Sequence, residues 1–120
     1  MEPITTPILK DKYGAAFSEQ QLHKEAVYLH KEVHRLLYAK ENNDSKLPVY
    51  YDKLQRLLAG LNGLLENPPE LITLMSEIEA ARIESLKKDF NHDAYRRLIL
   101  DSHSIVDRLF WGANYDYASE

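Results

Sequence analysis

A chain of 120 residues has room for one domain and can bury roughly two-thirds of the surface it exposes when unfolded. Its 44% hydrophobic and 28% charged content is that of an ordinary globular protein, and a net charge of −4 leaves no electrostatic footprint for nucleic acid or an anionic membrane. It contains no cysteine, which excludes disulfides, thiolate zinc sites and cysteine nucleophiles.

The opening "MEPITTPILKDKYG" carries Glu2 and two early prolines, and it lacks the apolar run of a signal peptide. No stretch reaches the ~18 apolar residues of a membrane span. The expectation is a cytoplasmic protein with no stable membrane insertion. Residues 1–17 read as an N-terminal arm, which either packs Ile4, Ile8, Leu9 and Tyr13 across the bundle or is disordered.

The first periodic segment begins at "FSEQQL". Ser18 and Gln21 have capping-box spacing, and Phe17 and Leu22 stand where a hydrophobic staple closes the entry. Leu22, Ala26, Leu29, Val33 and Leu36 then recur at alternating steps of four and three, the stripe of a packed helix. Within it "LHKEAVYLHKE" repeats a tetrapeptide after seven residues and brings in His23, His30 and His34. His30 and His34 have the i, i+4 spacing that lets two side chains share a metal. There is no HExxH, however, and no Glu-x-x-His pairing on two helices. A heptad accounts for the repeat: Leu inward, His at the core border, and Lys24, Glu25, Lys31 and Glu32 in water. No metal or other cofactor is expected.

The second segment starts near Pro48, with a stripe of Tyr50, Leu54, Leu57, Leu61 and Leu64 widened by Tyr51, Leu58 and Leu65. Gly60 and Gly63 interrupt it, either to allow a close backbone approach or because the helix frays there. In "ENPPEL", Asn67 is the expected cap, with Pro68 at the first helical position and Glu70 three residues after the cap. Leu71, Leu74, Met75, Ile78, Ala81 and Ile83 form the third stripe. Glu79 falls near its border, as a buried acid of raised pKa or, more simply, as a rim residue paired with Arg82. In "KKDFNHD", Asn91 is the cap between Phe90 and Tyr95, and the last helix carries Tyr95, Leu98, Ser102, Ile105 and Leu109, flanked by Ile99, Val106 and Phe110. Gly112 is its natural stop.

Nothing alternates with period two for long enough to make a strand. Short connections favour antiparallel neighbours. The predicted fold is all-α: an antiparallel four-helix bundle over residues 18–112, with the arm before it and an aromatic tail, residues 113–120, after it.

Two surfaces carry functional expectations. Arg96 or Arg97 with His103 resembles the Arg-x(4–6)-His motif of HEPN ribonucleases, which implies an RNA-cleaving toxin or toxin–antitoxin component. Leu98 stands where that motif has a polar residue, and Asp93–Arg97, Arg97–Asp101 and His103–Asp107 can be read instead as surface pairs. The tail "LFWGANYDYASE" crowds Trp111, Tyr115 and Tyr117 together with Asp116. Trp and Tyr combine large contact area with a polar handle, as at interface hot spots, so these four are the expected partner-binding residues. Trp111 can equally tuck back and close the end of the bundle.

The order of parts resembles the immunity proteins of pediocin-like bacteriocins, the enterocin A immunity group. It does so through the Pro-marked turn "NPPELITLM", the Phe-then-Tyr turn "DFNHDAYRRLIL" and the tail "WGANYDY", over about residues 18–117. The chain differs from that group in its acidity and in the arm before Ser18. The resemblance implies a small non-enzymatic cytoplasmic bundle that protects a producing cell. Its partner would be a bacteriocin-bound sugar-transporter receptor at the membrane, with specificity in the C-terminal portion.

Overall fold

A computed structural model of the chain describes Tyr13 and residues 18–65 and 68–111. These form four helices and no strand: α1 Glu19–Glu41, α2 Leu47–Leu65, α3 Pro69–Ser85 and α4 His92–Trp111. The arm, apart from the exposed Tyr13, and the segment from Gly112 onward lie outside the described residues, as do Phe17 and Asn67.

α1 and α4 start where a side chain supplies a partner for a first free N–H group. Ser18 Oγ accepts from the Gln21 backbone N–H at 3.1 Å, and Gln21 Oε1 accepts from the Ser18 N–H at 2.8 Å, the expected capping box. Between α1 and α2, Asn43 takes φ 53°, a left-handed conformation that Asn tolerates better than most residues. Asp44 Oδ1 then accepts from the Lys46 N–H at 2.8 Å. The start of α3 is one residue later than expected. Pro68 holds the extended cap position and Pro69 the first turn, because a ring with fixed φ and no N–H suits that site. Asn91 Oδ1 caps α4 through the Ala94 N–H at 3.0 Å, and Phe90 lies edge-on to Tyr95 with ring centroids 5.5 Å apart.

Cross-helix contacts fix the topology. Lys53 approaches Glu32 at 3.8 Å and Gln55 donates to Glu79 at 2.7 Å. His30 meets Asp107 at 2.7 Å while His92 meets Glu41 at 2.7 Å. Glu84 near the end of α3 accepts from the Asn91 N–H just before α4 at 3.0 Å, so later residues of one helix meet earlier residues of the next and the bundle is antiparallel. The four-helix prediction holds.

Leu29, Val33 and Leu36 of α1, Leu54 and Leu58 of α2, Leu71, Leu74 and Ile78 of α3, and Ile99 and Val106 of α4 are buried in one core. Full burial of such a side chain contributes about 1.5–3 kcal/mol. At the end that holds the α1–α2 turn, Tyr95 donates its hydroxyl to the Leu36 carbonyl at 2.8 Å. Its single proton is thereby used, so Tyr51 donates to Tyr95 at 2.9 Å. Burial raises both phenols, Tyr95 to about 12, which keeps them protonated donors.

Four side-chain expectations are corrected. The inner face of α2 is Leu47, Tyr51, Leu54, Leu58 and Leu65, with Tyr50, Leu57 and Leu61 only partly buried and Leu64 exposed. On α3, Ile83 points outward. Glu32, expected in water, is buried, with Arg35 at 3.6 Å and Lys53 at 3.8 Å. A Cβ built on Gly60 or Gly63 meets nothing within 4 Å, so neither glycine is there for a close backbone approach.

Candidate functional site

The histidines of the repeat separate by register. His23 and His34 are exposed, whereas His30 turns into the α1–α4 seam. There His30 Nε2 lies 2.7 Å from Asp107 Oδ1, and His30 Nδ1 lies 2.7 Å from His103 Nδ1. An ionised carboxylate only accepts, so His30 Nε2 carries a proton. In a neutral His30 the Nδ1 lone pair then accepts from His103 Nδ1–H. The chain therefore runs His103 to His30 to Asp107 across two helices. The His30 and His103 rings stack with centroids 5.0 Å apart, and His34 lies 6.1 Å from His103.

His103 and Asp107, read from sequence as a surface pair, are both buried, and Asp107 pairs across the seam rather than along its own helix. Asp107 Oδ2 is buried with no hydrogen-bond partner among the described residues. Burial, reinforced by His30 and His34, pushes the His103 imidazole down to about 4, so His103 is neutral at pH 7. Among the described residues no group of three or more His, Asp or Glu side chains is arranged to hold a metal ion.

The arginines of the Arg–His pattern do not join this cluster. Arg96 and Arg97 are exposed and line a surface groove with Asp93, Leu100, Asp101 and Ser104. His103 instead faces α1. No ion pair joins Arg97 to Asp93 or Asp101 among the described residues.

A second region lies on α3 and beside it. Glu79 sits at the rim, as the simpler expectation had it. It accepts from Arg82 Nε at 2.8 Å and Nη2 at 2.7 Å, and from Gln55 Nε2 at 2.7 Å. Those hydrogen bonds, Arg82 first, hold its carboxyl down at about 2. It forms one wall of a cleft of about 520 Å³ that also touches Lys40, Tyr51 and Leu86. On the outer face of α3, Ile72 and Ile83 are 44% and 48% exposed and line a shallow groove with Met75, Ser76, Ala80 and the Glu79 side chain, while Leu86, 67% exposed at the C-cap, lines the neighbouring cleft. Sequence reasoning missed this face because it assigned Ile83 to the core. The signal was present: Ile72 and Ile83 are eleven residues apart, three turns, on the side away from Leu71, Leu74 and Ile78.

Of the expected partner-binding residues, Trp111 is half-buried and packs against the core. Tyr115, Asp116 and Tyr117 lie outside the described residues. No helix among the described residues is long and apolar enough to cross a membrane. Comparison with protein-family models, with curated proteins and with solved structures finds no match to this chain.

Proposed function

We propose that this chain is a non-enzymatic helical bundle that works by binding a protein partner in the cytoplasm. The observation that carries the reading is the outer face of α3, where Ile72 and Ile83 are exposed on one side of the helix and Leu86 is exposed at its C-cap. Exposed apolar side chains grouped in this way are a feature of interaction surfaces, whereas scattered single ones are ordinary. Antiparallel packing sets the start of α3 beside the end of α4, so Ile72 and Trp111 belong to the same end of the bundle. Tyr115, Asp116 and Tyr117 follow Trp111 in sequence.

The finer form of the proposal is bacteriocin immunity, with a receptor–bacteriocin complex as the partner. It is supported by the bundle architecture and by the turn and tail motifs that resemble that group. The test is to express the chain in a strain sensitive to a panel of pediocin-like bacteriocins. Protection against at least one member, lost in Ile83→Asp at unchanged melting temperature, is the expected result. Sensitivity to the whole panel at good expression would defeat the immunity role. Protection that survives Ile72→Asp and Ile83→Asp together would remove α3 from the interface.

A further inference from the structure

The geometry points to a proton-operated latch between α1 and α4, made by the His103–His30–Asp107 chain, which holds with one added proton and opens with the second. With both rings neutral, His103 Nδ1–H donates to His30 Nδ1, and His30 Nε2–H donates to Asp107, over contacts of 2.7 Å each. One added proton is accommodated. His30 as an imidazolium donates from both nitrogens, to Asp107 and to a His103 that now accepts at Nδ1. A second proton cannot be placed. Both Nδ1 atoms would then carry hydrogens at 2.7 Å, and two like charges would stack at a centroid distance of 5.0 Å. The seam must part for His103 to be solvated.

Toward His103, α1 presents the ionisable His30 and His34, and α4 presents Asp107 through His30. On the other side of α4, Glu77 of α3 pairs with Asp101, and burial followed by that neighbour raises the Glu77 carboxyl. Its protonation in acid favours the folded pairing, opposite in sign to His103. From α2, Tyr51 reaches α4 only through the uncharged Tyr95 hydroxyl. The depressed His103 titration, about 4 against 6.5 for a free imidazole, supports the same direction. Its sign is that of a group stabilising the closed form above the free value and withdrawing that stabilisation as pH falls toward the folded value.

Amide hydrogen exchange on the whole chain at pH 7 and pH 5, corrected for intrinsic rates, tests the latch. Those two titration values imply roughly 20-fold faster opening at pH 5. It is expected in α1 and α4 around residues 27–34 and 102–108, with much less change along the α2–α3 seam. His103→Gln, which cannot take the proton, should lose most of that acceleration. An unchanged acceleration in His103→Gln overturns the latch, as does loosening that is uniform over all four helices. So does equimolar zinc tightening the seam at pH 5, since the cluster would then be a metal site. If His103→Gln does not fold, the wild-type His103 ring titration by NMR decides: a midpoint well below 6.5 supports the latch, and one at or above 6.5 sinks it.

Discussion

Gly60 and Gly63 are the residues whose cost is most exposed to measurement. Both stand in the body of α2, and an added methyl at either meets open space. The backbone freedom that glycine loses on folding is therefore not returned by any contact. Gly60→Ala and Gly63→Ala should each stabilise the fold by about 0.5–1 kcal/mol, read from urea denaturation midpoints at unchanged m-value. Destabilisation by either would mean that the backbone at that point is not helical. Trp111 is the contrasting residue. It packs on the core yet is only half-buried. Trp111→Ala should accordingly cost about 1–2 kcal/mol, below the 3–5 kcal/mol typical of a fully buried aromatic.

Between elements, the coupling most open to measurement runs through the buried hydroxyls of Tyr51 and Tyr95. Tyr95→Phe removes the donor to the Leu36 carbonyl and strips Tyr51 of its acceptor, so a loss of about 1–3 kcal/mol is expected. Tyr51→Phe leaves the Tyr95–Leu36 bond in place and should cost less. In a double-mutant cycle the pair should cost less than the sum of the singles, because the second change removes a group already orphaned by the first. Strict additivity would mean the hydroxyls do not share the bond. Helix positions of this kind were legible in the sequence because they rest on local chemistry. The Ser18–Gln21 box, the Asn91 cap and the stripe from Leu22 to Leu36 each need only residues a few positions apart. What was not legible depends on rotation and on partners far along the chain. The wide apolar surface of α2 is compatible with a centre on Tyr50 or on Tyr51, and only the neighbouring helices choose. Glu32 looks like a solvent residue in its heptad until Arg35 and Lys53 close around it. Asp107 gives no local sign that its partner stands on the first helix, 77 residues earlier.

For the molecule as a whole, the two surfaces proposed for recognition can be separated, because they belong to different segments of the chain. Tyr115 and Tyr117 follow the last described helix in sequence, and among the described residues the core from Leu22 to Phe110 is built by the four helices. Truncation after Gly112 should therefore preserve the helical circular-dichroism signal and a cooperative thermal transition. The α3 face carries little packing duty: Ile72→Asp and Ile83→Asp place a charge where the side chain is already about half in water, and each should change stability by no more than ~0.5 kcal/mol. Protection or partner binding then reports recognition alone. If one partner spans both surfaces, the truncation and the α3 variants should each weaken it, by about 1 kcal/mol or more for a hot-spot residue. The combined variant should abolish it. Loss in the truncation alone would confine recognition to the tail, and loss in the α3 variants alone would confine it to the bundle. A fall in melting temperature that tracks the loss of function would assign the altered segment to the fold instead. The same outcome would withdraw the segment from the proposed interface, since a surface that is spare in the free protein is what a partner needs.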